Sequence, residues 1–340
     1  MKPLRVMVLM HDHLIPPESI EGLDPAKAEW KTEYDVMSTL KKLGHDVSAL
    51  GVASELGAIK TAIDVWKPDI VFNLLEAFHN VALFEQNVVS YLELLRIPFT
   101  GSNSRGLLLA KDKGLSKRLM ASHRIPIPEF TVVKRGENVR RPKRLAFPLI
   151  VKSLTEEASL GISQASVVDD EDKLRERVAF IHKSVGSDAL IERFIDGREL
   201  SVGIIGNRRL RVFPVWELMF ANMPEDAHRI ATERVKWSVK YQEKYGITTG
   251  ESKDLPIGLC QRIQHLCKRV YRSLELSGYA RIDLRLDRDG KVYVLEANPN
   301  PQIAHDEDFA DSAKRAGMSY KALIQRIVTL GLEWSVETKS

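Results

Sequence analysis

The sequence predicts an α/β protein, with a parallel sheet in the first hundred residues and mixed helical and antiparallel structure in the rest. Three observations carry this reading. Short apolar runs alternate with helix-period segments as far as Thr100, two β-rich runs flank the turn signal Asp287-Arg288-Asp289-Gly290, and helical patterns close the chain after Phe309.

Leu4 to Met10 is an apolar run of strand length, and Glu29 to Leu43 places apolar residues at 30, 34, 37, 40 and 43 before Gly44 stops the helix. The alternation continues through Asp46 to Leu50, Ala53 to Trp66, Asp69 to Leu75, Phe84 to Leu95 and Ile97 to Thr100. No G-x-G-x-x-G follows the first strand. It runs instead into His11-Asp12-His13-Leu14, a loop at the carboxyl end of a strand, where open α/β sheets bind ligands. His11 and Asp12 are therefore candidates for substrate contact, with ordinary loop polarity as the alternative. Nothing near them in sequence completes a metal ligand set.

Ser104 to Ser122 reads as one helix carrying Lys111, Lys113, Lys117 and Arg118, with a solvated basic face as the plain alternative to a functional one. Strands are expected at Phe130 to Lys134 and Pro148 to Lys152, and a loop rich in small residues, 155–163, leads to a strand at Gln164 to Val168. Such a loop lets backbone N–H groups approach phosphates. Lys173 to Lys183 is helical, Ala189 to Phe194 is a strand, and Asp196-Gly197 turns into Glu199 to Ile205 as a second hairpin. Phe213 to Gly250 is the least regular region, mixing Trp216, Trp237, Tyr241 and Tyr245 with many charges, and is expected to close over a ligand. The helix from Gly258 to Leu276 carries Cys260 and Cys267 as packed thiols, and helices at Phe309 to Ala316 and Tyr320 to Leu332 finish the chain.

The chemical centre is Tyr279 to Pro301. A hairpin with a two-residue loop would pair Asp287 with Gly290 and set Asp283 opposite Val294. Arg281, Asp283, Glu296 and Asn298 then project from one face. Two carboxylates and an amide carbonyl are hard oxygen ligands suited to Mg²⁺ beside nucleotide phosphates. The alternative is a solvated hairpin face. A one-residue bulge would break the arrangement.

Composition bounds the function. At 340 residues, with 44% hydrophobic and 28% charged side chains, the chain is ordinary globular protein of two or three domains. A net charge of +4 without basic runs interleaved with aromatics argues against nucleic acid. No apolar run reaches membrane-spanning length, so no membrane partner is expected and the cytoplasm is the expected compartment.

Six ordered segments resemble the ATP-grasp superfamily, in its D-alanine:D-alanine ligase-like branch. They are FNLL at 72–75, YLELLRIPFTGS at 91–102, KDKGLSKRLM at 111–120, the 150–163 loop region, ALIERFIDGRELSVG at 189–203 and RIDLRLDRDGKVYVLEANPNP at 281–301. The resemblance implies an ATP-grasp fold: an N-terminal parallel α/β substrate domain (1–103), a small central α+β subdomain (104–190) and a C-terminal α+β subdomain (191–340) with the metal site. It implies Lys113 and Lys152 on the nucleotide phosphates, with Ser159 and Gly161 in the loop covering them. Glu192, Arg193, Phe194 and Ile195 would hold adenine, and Glu199 the ribose. Lys240 would be a further phosphate lysine and Tyr241 its catalytic neighbour. Asp283, Glu296 and Asn298 would hold two Mg²⁺ ions, with Mn²⁺ as an alternative, and Arg281 would stand beside the reacting carbonyl. The implied chemistry is an ATP-dependent carboxylate-amine ligation: a small-molecule carboxylate takes the γ-phosphoryl group of ATP, and an amine then displaces phosphate. A homodimer is implied as well.

The departures cluster where the family reads its substrates. His11-Asp12-His13-Leu14 replaces a glycine-rich motif carrying a glutamate, and Ala158 stands where the family has a serine. Glu76 stands for a histidine, Gln302 for a glycine and, roughly, Glu307 for a serine. With His305-Asp306-Glu307-Asp308 acidic, a free amino-acid carboxylate is disfavoured as the acceptor, and substrates other than two D-alanines are expected. Joining of two D-alanines and a nucleotide-binding protein without turnover are the alternatives.

Overall fold

The computed structural model describes residues 2–155 and 159–334. Strand β1 (Arg5–Met10) is followed by helix α1 (Lys31–Lys42), β2 (Asp46–Gly51), α2 (Leu56–Trp66), β3 (Ile70–Asn73) and α3 (Glu85–Leu94). The strands form a parallel sheet in the order β2-β1-β3. The strand expected at Ile97 to Thr100 contributes only a parallel bridge from Phe99 to Val71, because Pro98 has no N–H to extend the ladder. On α1 the buried stripe is Glu33, Val36, Thr39 and Leu40, rotated from the expected one, so that a glutamate occupies a core-facing position.

The expected single helix at Ser104 to Ser122 is two, α4 (Ser104–Lys111) and α5 (Lys113–Ser122). Asp112 takes an extended conformation between them, and its side chain accepts from Leu115 N, capping the second. The solvated basic face is overturned as well: Lys111 and Lys117 are buried, each against a buried glutamate.

Next come β4 (Phe130–Val133), β5 (Leu149–Ser153), the two-residue β6 (Val167–Val168), α6 (Glu171–Phe180) and β7 (Ala189–Arg193), in an antiparallel sheet ordered β4-β7-β5-β6. The strand expected at Gln164 to Val168 keeps only its last two residues, because Gln164 to Ser166 form a 3-10 turn closed by a Ser163–Ser166 capping box.

A second antiparallel sheet, ordered β10-β9-β8-β11-β12, contains β8 (Gly197–Ile205), β9 (Arg211–Phe220), β10 (Ile247–Glu251), β11 (Tyr279–Asp287) and β12 (Val292–Pro299). The turn at Asp196-Gly197 therefore crosses between sheets, and β8 forms its hairpin with β9 instead of β7. Gly197 has φ +152, and a Cβ there would collide with the Leu286 carbonyl, so only glycine lets β8 start this close to β11. The region expected to be irregular, 213–250, is built from most of β9, helices α7 (Glu233–Trp237) and α8 (Val239–Tyr245), and β10. Helix α9 (Ile257–Ser273) packs Ile263, Cys267 and Val270 against Val202, Ile282 and Leu284 of this sheet, as expected for a structural thiol.

Helices α10 (Asp308–Arg315) and α11 (Tyr320–Glu333) return to the first sheet. Phe309, Ile324 and Val328 share one core with Val6, Val8, Phe72 and Tyr279. This shared core fixes the carboxyl ends of the parallel strands against the start of β11. At the same seam Gly278, at φ +67, packs against the Gly101 carbonyl with no space for a side chain.

Candidate active site

The hairpin of β11 and β12 differs from expectation in two ways that cancel. Its loop is closed by Asp287 and Lys291, one residue longer than a two-residue turn, and a bulge shifts the register between Asp283 and Leu284. Asp283 therefore faces Glu296, not Val294, and Arg281 faces Asn298. All four still share one face. Arg281 donates to both Asp283 oxygens, from Nε at 2.7 Å and from a terminal nitrogen at 2.8 Å. Asn298 Nδ2 donates to Asp283 Oδ2 at 2.9 Å and to Glu296 Oε1 at 3.5 Å.

This face opens into a cleft between the two antiparallel sheets. Of the residues predicted to hold nucleotide, Lys113, Lys152, Ser159, Glu192, Arg193, Phe194, Ile195 and Glu199 line it, together with Asp283 and Glu296. Gly161 sits at its rim, where its N–H donates to Glu233 on α7 at 3.3 Å. Ala158 lies outside the described residues. The 213–250 segment reaches the same cleft through Ile230, Ala231 and Lys236, and Gln164 and His228 exchange hydrogen bonds of 2.9 and 2.8 Å across its edge.

The lysines are placed by buried acids. Glu192 lies between Lys117 Nζ at 2.5 Å and Lys152 Nζ at 3.0 Å. Burial pushes its carboxyl upward, but the two lysines outweigh that and hold it below the usual range. Lys113 Nζ stands 3.9 Å from Glu296. Burial likewise opposes ionisation of Glu296, and Lys113, Lys152, Lys236 and Arg281 together bring it down to about 2. Glu199 accepts from Arg285 at 3.1 Å and from Ala231 N at 3.3 Å.

Tyr241 and Lys240 line neither this cleft nor the second one. They lie on α8, Lys240 exposed and the Tyr241 ring tilted against that of Tyr245 with centroids 4.6 Å apart. Lys236, on α7, lines the cleft and acts on Glu296. Lys117, Lys236 and Arg285 were missed. Arg285 continues the alternation of Arg281 and Asp283, and Lys117 lies one helical turn from Lys113, so both carried a signal. Lys236 sits in a stretch with no periodicity and carried none.

A second, smaller cavity adjoins the far ends of the same strands and is lined by Glu33, Asn73, Glu76, Glu85, Tyr279 and Gln302 among others. Glu76 and Gln302 are thus brought together, whereas His11, Asp12 and Glu307 do not line it. His11 Nδ1 lies 2.7 Å from Asp12 Oδ1 and from His13 Nδ1 in a turn at the end of β1. Glu307 stands at the N-cap position of α10 without a side-chain capping bond and pairs with Lys31 at 3.3 Å, and Asp308 accepts from Trp216 at 3.0 Å and from Thr249 at 2.5 Å. These acids are satisfied within the protein.

Asp283, Glu296 and the Asn298 amide offer a cluster of hard oxygens, with Glu296 held ionised by Lys113, Lys152, Lys236 and Arg281, and this donor set fits a divalent metal. Fold and site together define a nucleotide-dependent ligase architecture, in which a lysine-lined cleft between two antiparallel sheets meets an acidic metal-binding face. A family model described as the C-terminus of D-ala D-ala ligase matches residues 119–329. A D-alanine–D-alanine ligase of Desulforudis audaxviator is 32% identical over 254 residues, 72% of this chain and 76% of that one. An uncharacterized protein of Sinorhizobium fredii is 31% identical over 300 residues, covering 86% and 85%. The crystal structure of D-alanine–D-alanine ligase from Bacillus anthracis complexed with ATP has the same fold, with a TM-score of 0.75 at 22% identity over 97% of this chain and 98% of that one. The chain belongs to the D-alanine:D-alanine ligase family of ATP-grasp proteins. It is accordingly an ATP-dependent ligase that forms carbon–nitrogen bonds, and ligases of this kind use ATP with a divalent metal. Among the described residues no helix is long and apolar enough to cross a membrane.

Proposed function

We propose that the protein joins a small carboxylic acid to an amine through an acyl phosphate, with substrates other than two D-alanines. The observation that carries the reading is the convergence of Lys113, Lys152 and Lys236 with Asp283, Glu296 and Arg281 on one cleft. ATP would lie with its triphosphate among the lysines and its base along Arg193 to Ile195. There the N–H groups of Arg193 and Phe194 are already taken by Glu129 and Pro148 carbonyls, so recognition falls to the remaining main-chain groups. Asp283, Glu296 and Asn298 would hold two Mg²⁺ ions, which supply charge neutralisation for phosphoryl transfer. The lysines orient the γ-phosphoryl group for attack by the substrate carboxylate. Arg281, fixed by its two bonds to Asp283, stabilises the oxyanion that forms when the amine adds to the acyl carbon, and phosphate leaves as the amide forms.

The departure from D-alanine rests on the second cavity, where Glu33, Glu76 and Glu85 stand together and no lysine or arginine is among the lining residues. A second reading, the joining of two D-alanines, is favoured by what the curated relatives are named. Phosphate release from ATP, screened over a matrix of acids and amines with mass detection of products, separates the two. Efficient D-alanyl-D-alanine formation at millimolar D-alanine would establish the second reading. Turnover only with other pairs, with Glu296→Gln inactive, is the result expected.

A further inference from the structure

Glu33 is an unusual occupant of a helix core face. It is 4% exposed, and its Oε2 atom has no hydrogen-bond partner. A buried carboxylate oxygen without a partner is costly, and native proteins hold few such groups outside functional or solvated sites. The oxygen belongs to a residue that lines the second cavity. The neighbouring acids make matters worse for an anion. Glu76 lies close enough to push the Glu33 carboxyl further upward, and Glu85 already has its counterion in buried Lys111 and accepts from Asn300 Nδ2 at 2.8 Å. Asn300 is spent too, since its Oδ1 accepts from Ser102 N at 2.7 Å. Among the described residues that line the cavity there is no lysine or arginine to offset Glu33.

Its position ties it to the reaction. Tyr279 precedes Arg281 by two residues on β11, and Asn300 follows Asn298 by two beyond β12, so the cavity begins about 7 Å along the strands from the metal-binding face. A small molecule seated there can present its reacting end to Arg281 while its other end lies against α1.

We propose that this cavity binds one substrate through a cationic group, a primary ammonium held by the Glu33 carboxylate, making Glu33 a specificity-determining residue. The place of this contact in a reaction rests on the ligase reading, but the contact itself is testable without turnover. The probe is 1,4-diaminobutane, with 1,4-butanediol as its uncharged isostere, titrated into the full chain by calorimetry in the presence of a non-hydrolysable ATP analogue. The diamine is expected to bind and the diol not to. Glu33→Gln should weaken the diamine roughly tenfold to a hundredfold, the range of a hydrogen bond to a charged group. Glu33→Asp should recover part of the loss, and affinity for the ATP analogue should stay unchanged in both variants. In the acid–amine screen, Glu33→Gln should raise KM for the ammonium-bearing substrate and leave KM for ATP alone. Equal binding of diamine and diol by the native chain, or an unaltered diamine affinity in Glu33→Gln, would overturn the assignment even if ligation is found. Diamine binding lost on Glu33→Gln, with no turnover for any pair, would retain the assignment and count against the ligase reading.

Discussion

Glu33 also sets a measurable pH dependence of stability. Burial lifts its carboxyl from 4.5 to about 7, opposed by a hydrogen bond with its own backbone and assisted by Glu76. Glu85, paired with Lys111, and Tyr279 are the other titratable groups lining the cavity. Because the folded-state value lies above the unfolded one, the stabilisation is complete below about pH 4.5 and is lost as pH rises through about 7. Linkage over pH 5 to 8.5 gives a loss of about 2.5 kcal/mol from this group. Spread over an unfolding entropy of roughly 2 cal/mol/K per residue, that is a fall in Tm of about 3 to 4 °C in a chain of this length. Glu33→Gln removes the titration, so its Tm should gain on the native protein by that amount between pH 5 and 8.5, read by differential scanning calorimetry without ligand. Parallel Tm profiles for the two proteins across this range would refute the claim that Glu33 is a buried, uncompensated acid.

Three further outcomes are expected. Glu296→Gln should lower metal-dependent ATP cleavage by at least about a hundredfold with an unchanged circular dichroism spectrum, since it takes one charge from the metal-binding face; near-native turnover would remove Glu296 from that role. Lys236→Ala should raise KM for ATP or lower kcat by roughly tenfold or more, whereas Lys240→Ala should leave both within about twofold, reversing the assignment made from sequence; steady-state kinetics on the two variants decides it. Lys117→Met should cost about 3 kcal/mol in urea unfolding, because it leaves buried Glu192 with Lys152 alone; a loss under 1 kcal/mol would mean that Lys152 suffices.

The order of elements was legible because its signals are local. Apolar runs, glycine stops and the 287–290 turn each depend on neighbours in sequence, and most elements lie within a few residues of expectation. What failed was everything decided by a partner far along the chain. The sequence leaves a solvated face open for Lys111 and Lys117 because nothing within α4 or α5 reveals Glu85 and Glu192, which bury them. The β7–β8 turn read as a hairpin because a crossover between sheets has the same local chemistry. Residues 213–250 read as irregular because β9 and β10 pair with each other across two intervening short helices, a separation no periodicity spans. Within the cleft, residues in contiguous motifs were found. Lys236 was not, because only the fold brings it toward Glu296.

The hairpin shows why a face can be predicted correctly from a wrong register. Beyond the three-residue turn the pairing sets Leu284 against Val294. Continued without interruption, it would place Asp283 opposite Leu295 and turn Glu296 and Asn298 toward the core packed by α9. Burying a carboxylate and an amide among Ile263, Val270 and Ile282 without partners would cost several kcal/mol, far more than one irregular ladder position. The bulge avoids this, returning Ala297 to the core, Glu296 to the cleft and the Asn298 amide to hydrogen bonds with Asp283 and Glu296. It also leaves the Leu295 carbonyl to accept from Lys117 Nζ at 2.8 Å, while the Val294 N–H donates to Pro126 O at 2.9 Å. The same lysine that neutralises Glu192 therefore meets the backbone irregularity that keeps the acids on the cleft face. Nucleotide-cleft electrostatics and metal-face geometry share one buried residue, and a change at Lys117 is expected to disturb both.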